Sequence, residues 1–166
     1  MIIERKWAMP SKWTFQIKPI KQLLHEEIGS GVWIDPFAGQ NSPASITNDL
    51  NPNAPTTHHM DALEFLKTFD NESVDGILFD PPYSARQVKE CYESISGDIQ
   101  WDGRTNFWSD TKNECARILK HGGKVICFGW NSMGLGKNRG CEMNRILLVP
   151  HGGIHNDTIC TVEVKR

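Results

Sequence analysis

The stretch "SVDGILFDPPYS", residues 73–84, decides the fold. Its first half is a short apolar run in which Ile77, Leu78 and Phe79 are consecutive, too short for a helix and bounded on both sides by turn-forming residues. That pattern reads as a buried strand. Its second half stops the strand abruptly. Proline has no N–H to give a ladder and a fixed φ, so Pro81 and Pro82 end the pairing and stiffen the backbone that follows. Such a turn aims two acceptors, the Asp80 carboxylate and the Pro81 carbonyl, outward beside the flat ring of Tyr83. A planar base carrying an exocyclic amino group suits that arrangement. Its N–H groups donate to the acceptors and its ring stacks on the tyrosine, which leaves the nitrogen facing an electrophile.

Outward from this strand, short apolar runs alternate with turns and helical patterns. The chain therefore reads as α/β around a largely parallel sheet. Upstream, "TFQIKPIKQLLHEEIG" is extended to Pro19 and then helical, "GVWIDPFAG" is a first buried strand, "ASITNDLNPN" a second strand, and "MDALEFLKTF" a short helix beside an acid. Downstream, "RQVKECYESI" is a helix, and "NFWSDTKNECARILKHGG" is an amphipathic helix with a glycine stop before the strand "KVICFGW". The final "EMNRILLVPHGGIHNDTICTVEVKR" reads as an antiparallel strand pair. An open parallel sheet binds ligands beyond the carboxyl ends of its strands. Residues 35–39, 48–51, 80–84 and 130–132, all rich in polar chemistry, are expected to share that rim.

Composition sets the outer bounds. With 166 residues and 39% apolar content the chain fits one domain, residues 1–166, with an N-terminal segment and helix (1–30) and a sheet core (31–166). A net charge of −2 gives no bulk attraction to nucleic acid, so any such partner needs a local basic surface. Cys91, Cys115, Cys127, Cys141 and Cys160 are odd in number, scattered, and lack a C-x-x-C pair, which reads as reduced thiols in a cytosol. No signal-peptide core and no bilayer-length apolar stretch occurs, so a soluble, cytoplasmic protein without membrane association is expected. His151 and His155 with Cys141 and Cys160 match no zinc spacing, and no metal is expected. Met133 and Met143 read as packing residues.

Taken together, these motifs resemble the S-adenosylmethionine-dependent amino-methyltransferases, especially DNA adenine N6-methyltransferases in a compact form without a target-recognition domain. "DPFAG" looks like their cofactor motif, "DPPY" like their catalytic tetrapeptide, and "TFQIKPI" like the segment that closes over the methionine moiety. The resemblance runs over nearly the whole chain. It implies a Rossmann-like class I methyltransferase fold, a seven-stranded mostly parallel sheet in the order 3-2-1-4-5-7-6 with the last strand antiparallel and helices on both faces. It implies S-adenosylmethionine as cofactor, held by Phe15, Ile17, Asp35, Pro36, Phe37, Ala38, Gly39, Asp49, Leu50, Asp61, Ala62 and Asp80. Asp49 would take the ribose and Asp61 the adenine.

By the same resemblance Asp80, Pro81, Pro82 and Tyr83 are catalytic, in a direct displacement on an extruded base. No proline in the chain is followed by cysteine, which excludes the C5-cytosine chemistry. Ser84, Arg86, Arg104, Trp108, Asn131, Lys137 and Arg139 are the expected substrate contacts, basic and aromatic residues interleaved on the loops of the rim. Between the first two strands "GQNSPAS" is too short for a crossover helix, so an irregular loop is expected there. DNA is the expected partner, with sequence reading left to loops, a homodimer or a separate specificity subunit. RNA, cytosine N4 and protein methylation, and a noncatalytic cofactor-binding subunit, stay open as alternatives.

Overall fold

The structure, a computed structural model, describes residues 1–95, 103 and 105–166. Seven strands, β1 (Ile2–Arg5), β2 (Trp33–Asp35), β3 (Ile46–Thr47), β4 (Val74–Phe79), β5 (Leu119–Gly129), β6 (Cys141–Val149) and β7 (Thr158–Lys165), form one sheet in the order β1-β6-β7-β5-β4-β2-β3. Strand β7 is antiparallel to both β5 and β6, and every other pairing is parallel. All strands except β7 therefore point their carboxyl ends at one rim.

Alternate side chains of each strand enter opposite layers. Leu78, Ile126 and Phe128 pack beneath α1 (Lys18–Glu27) with Ile20, Leu23 and Leu24. Ile77, Phe79 and Val125 pack on the other face beneath α2 (Ala62–Lys67) and α4 (Phe107–Ile118), against Phe65, Leu66, Cys115 and Ile118. A smaller cluster of Val88, Tyr92 and Phe107 seats α3 (Ala85–Glu93). The expected α/β class, with helices on both faces and the last strand antiparallel, is the observed one.

The order 3-2-1-4-5-7-6 is matched at its last six places, 2-1-4-5-7-6, by β3-β2-β4-β5-β7-β6. The third strand shrinks to a single parallel bridge between Asn48 and His58. Residues 51–57, NPNAPTT, carry two prolines, and Thr47 and Thr57 join through their side chains instead, with Thr57 Oγ1 donating to the Thr47 carbonyl at 2.7 Å. The seventh strand comes instead from the N-terminus, where β1 extends the opposite edge. Two boundaries also differ from expectation. Helix α1 begins at Lys18 with Pro19 in its first turn, where a missing N–H costs nothing. Helix α4 ends at Ile118 and β5 starts at once, so Gly122 and Gly123 sit in a bulge opposite β4 rather than as a helix stop. The loop 40–45 is irregular, as its length requires. Met133, expected to pack, is 72% exposed, because its loop runs over the surface.

Gly76 lies opposite Trp33 in the β2–β4 pair, and a Cβ there would stand 2.2 Å from the indole. Gly76→Ala must displace a buried tryptophan and is expected to cost roughly 2–3 kcal/mol in urea unfolding. A loss below about 0.5 kcal/mol would show that the ring moves freely.

Candidate active site

Strand β4, buried except at Asp75, delivers Asp80 to the rim. The turn that follows is braced from two helices. Trp108 of α4 donates its Nε1 hydrogen to the Pro82 carbonyl at 3.0 Å, and the Tyr83 amide donates to Gln87 Oε1 at 2.7 Å. Ser84 caps α3 by accepting from the Gln87 amide at 3.2 Å. No hydrogen bond among the described residues engages the Pro81 carbonyl.

Within the turn the Tyr83 hydroxyl donates to Asp80 Oδ1 at 2.6 Å. Burial pushes the Asp80 carboxyl above its ordinary range, against the hydrogen bonds of Tyr83 and Thr14 that favour its charge. Burial, and then the Asp80 charge, push the Tyr83 phenol far up, so it stays a neutral donor. Trp130, at the end of β5, sets its ring against Tyr83 with centroids 5.3 Å apart and planes at 65°.

The neighbouring strand ends are tied together by acids and one amide. Asp35 is fully buried at the end of β2, where its oxygens accept from the Phe37 amide at 2.9 Å and the Ser42 hydroxyl at 2.6 Å. Burial lifts its pKa to about 7, helped by the charges of Asp80 and Asp49 and opposed by those two donors. Asn48 is also fully buried, donating to the carbonyls of Pro36 at 3.1 Å and Met60 at 3.0 Å. Asp49 accepts from the Gly39 amide at 2.9 Å and the Asn51 amide at 2.8 Å. Gly39 has φ +55°, and that left-handed backbone turns its N–H toward Asp49. Asp61 caps α2 through the Leu63 and Glu64 amides and accepts from the Tyr92 hydroxyl of α3.

These elements enclose a cavity of about 570 Å³ between the ends of β2, β3 and β4 and the inner side of α3. Pro36, Phe37, Asp49, Leu50 and Ala62 line one side, and Asp80 to Tyr83 close the other. A smaller cavity of about 150 Å³ adjoins it across Thr14, Phe37 and Asp80, and Phe15, Ala38 and Gly39 line it with Lys12. Of the expected cofactor residues, Asp35 stands behind the walls, Ile17 packs in the core with α1, and Asp61 is the helix cap beside Ala62.

The expected substrate residues are less gathered. Arg86 pairs with Glu90 at 2.7 Å, and Arg139 is spent on Asn113, Ser109 and the Leu135 carbonyl. Asn131 accepts from the Met133 amide, and Lys137 is exposed in a 3₁₀ turn. Arg104 lies outside the described residues. Thr14, Asn48, Gln87 and Trp130 were not singled out from the sequence as site residues; Asn48 and Trp130 stood at the strand ends that pointed to the rim. No group of three or more His, Cys, Asp or Glu side chains suited to a metal occurs among the described residues. His151 instead joins Ala8 and Thr158. No helix among them is long and apolar enough to cross a membrane.

No family model matches the chain. Its sequence is similar over part of its length to two curated proteins. It is 32% identical over 75 residues to the Type II methyltransferase M.BamHI of Bacillus amyloliquefaciens, covering 43% of this chain and 17% of that one. It is 35% identical over 80 residues to the Type II methyltransferase M.HinfI of Haemophilus influenzae, covering 42% of this chain and 22% of that one. The chain thus spans about a fifth of the length of these relatives. Among solved structures, TrmN from Thermus thermophilus superposes with a TM-score of 0.60 at 18% identity, over 90% of this chain and 49% of that one. The Burkholderia thailandensis 1,6-didemethyltoxoflavin-N1-methyltransferase, solved with S-adenosylhomocysteine, gives a TM-score of 0.60 at 12% identity, over 89% of this chain and 77% of that one. The fold is the Rossmann-like one of methyltransferases.

Proposed function

We propose that this chain is an S-adenosylmethionine-dependent methyltransferase acting on an exocyclic amino group, that of adenine N6 in DNA. One observation carries the reading. The Asp80–Tyr83 turn, braced by Trp108 and Gln87 and with its Pro81 carbonyl in no hydrogen bond among the described residues, lines a cavity together with Pro36, Phe37 and Asp49 from the ends of β2 and β3. The partial likeness to two Type II methyltransferases supports it.

The residues present fit the cofactor. Phe37, Leu50, Ala62 and Phe107 give the larger cavity apolar surface for a purine, while Asp49 offers remaining lone pairs to ribose hydroxyls. Asp49 and Asp80, joined by Asp35 when it ionises, make the region negative, which suits a ligand carrying a sulfonium and an ammonium. Thr14, Phe15, Ala38 and Gly39 around the smaller cavity would hold the amino-acid end. When bound, the cofactor would supply an electrophilic methyl carbon with a sulfonium sulfur as leaving group, so that the amino nitrogen's lone pair would form the C–N bond as the C–S bond broke and one nitrogen proton departed.

The chain's own residues prepare that nitrogen. Asp80 and the Pro81 carbonyl accept its two hydrogens and orient its lone pair. Tyr83 gives the base a flat surface, and Trp130 closes against the tyrosine edge. Asp80 also receives or relays the departing proton, a role for which a carboxyl raised by burial is suited.

Asp35 makes cofactor binding depend on pH. Its pKa of about 7 exceeds the ordinary 3.8, so the free fold favours the protonated acid, and its contribution to stability is lost as pH rises through about 7. A cationic cofactor favours the ionised acid, so affinity should rise with pH through the same window. Calorimetry across that range is expected to show tighter binding at the alkaline end, and Asp35→Asn should flatten the trend. A flat wild-type profile would separate Asp35 from the cofactor's charge.

The reading itself is tested by offering tritiated S-adenosylmethionine with unmethylated DNA, RNA and protein in parallel. Label is expected in DNA. Label confined to RNA or protein, or none despite cofactor binding, would overturn the assignment to DNA.

A further inference from the structure

The proposed site disfavours a polyanion, because Asp49, Asp80 and Glu90 line it. The cations nearest in sequence are already engaged, Arg86 with Glu90 at 2.7 Å and Lys89 with Glu93 at 3.5 Å. Arg139 is bound to α4 and its own loop. Among the described residues, further positive and aromatic contacts for a strand of nucleic acid lie elsewhere on the rim.

Residues 5–13, RKWAMPSKW, provide them. Strand β1 is parallel to β6, so this segment leaves the sheet at the same rim as Asp80. It is fastened there by the Lys6 amide to the Leu148 carbonyl at 2.9 Å and the Ala8 amide to the Pro150 carbonyl at 3.2 Å. His151 donates its Nδ1 hydrogen to the Ala8 carbonyl at 2.9 Å, which fixes the midpoint. The segment ends at the smaller cavity, which Lys12, Trp13 and Thr14 line together with Asp80.

What it presents outward is basic and aromatic. Trp7 is 61% exposed and Met9 69% exposed, large apolar side chains that the fold leaves uncovered. Arg5 and Lys12 are exposed and take part in no ion pair among the described residues, and Lys12 lies over the Trp13 ring at 4.8 Å. Trp130, 45% exposed, continues the aromatic surface on the other side of Tyr83. Interleaved cations and exposed aromatic rings are what phosphates and unstacked bases require.

We propose that residues 5–13 form a strap that holds the DNA strand beside the target base, Arg5 and Lys12 on phosphates and Trp7 stacked on an unpaired neighbour. The proposal rests on the reading of the site as a DNA amino-methyltransferase and supplies the polymer surface that the acidic cavity lacks.

The test uses the whole chain with S-adenosylhomocysteine and fluorescein-labelled DNA, single-stranded and duplex, with RNA of the same sequence for comparison. The combined variant Arg5→Ala/Trp7→Ala alters only exposed side chains outside both cavities. Its DNA affinity by fluorescence anisotropy is expected to fall by about tenfold or more, given what a phosphate contact and a stacked base contribute. Arg5→Ala alone should lower the salt slope by about one. Cofactor affinity by calorimetry should not change. DNA affinity within about twofold of the original chain, no measurable DNA binding by the original chain, or a strong preference for RNA would each overturn the strap. Methyl transfer is read separately. Transfer with unaltered variant affinity removes the strap and leaves the catalytic reading, whereas variant-sensitive DNA binding without transfer removes the catalytic reading and leaves the strap.

Discussion

Asp80→Ala is expected to lower methyl transfer by about 10³-fold, the scale of losing an acceptor that both orients the nucleophile and takes its proton. The fold should tolerate the change. Burial raises the Asp80 carboxyl above its ordinary range, so at neutral pH the charged group opposes folding, and removing it relieves that cost. The variant also loses the 2.6 Å bond from Tyr83, whose hydroxyl can then turn to solvent. The two effects oppose each other, and unfolding free energy is expected to stay within about 1 kcal/mol. Asp80→Asn keeps a carbonyl acceptor and should retain more activity than the alanine variant. Transfer by Asp80→Ala at the wild-type rate would place the chemistry elsewhere.

Arg145→Ala carries the largest expected cost in stability. Arg145, its side chain 11% exposed, joins three carboxylates from two elements, reaching Glu4 of β1 at 2.6 Å and Glu26 and Glu27 of α1 at 2.8 and 2.9 Å. Removing it leaves those acids facing one another, and a loss of about 3 kcal/mol is expected in urea unfolding at pH 7. Lys6 and then Arg145 hold the Glu4 carboxyl low, and Arg145 leads at Glu26. At Glu27 burial acts upward and is outweighed by Lys124 and Arg145 together. Acids held low in the folded state stabilise it above their ordinary value of 4.5, and that contribution disappears as pH falls through their folded values. The difference between wild type and variant should therefore shrink below pH 4.5. A loss under about 1 kcal/mol at pH 7 would show that β1 is held by its ladder alone. The variant also bears on the strap, because residues 6–13 begin where β1 ends.

The sequence was most readable where backbone chemistry decides the outcome. Strand β4 and its turn were plain because two prolines and an apolar run leave few alternatives, and the loop 40–45 followed from length alone. Strand β1 was not, because "IIER" has no periodicity of its own and becomes a strand only by pairing with β6 and giving Glu4 to Arg145. The third strand failed for a similar reason, since His58 finds a partner in Asn48 but the prolines deny it a second. At the site, Asp49 and Asp80 were found as strand-end acids. Asp61 was read as an adenine contact, whereas its position beside "ALEF" made it equally a helix cap, and tertiary packing adds Tyr92. Arg86 and Arg139 show the limit most clearly. Whether an arginine is available for phosphate depends on Glu90, Asn113 and Ser109, and only the folded arrangement places those three.

The proposed methyl transfer at the Asp80–Tyr83 turn goes to the N6 amino group of adenine. The most direct measurement is mass spectrometry of nucleosides from unmethylated DNA incubated with the chain and S-adenosylmethionine, with Asp80→Ala in parallel. N6-methyladenine is expected from the wild type, and its loss in the variant. Methylation at another nucleoside position, or equal N6-methyladenine from both proteins, would contradict it.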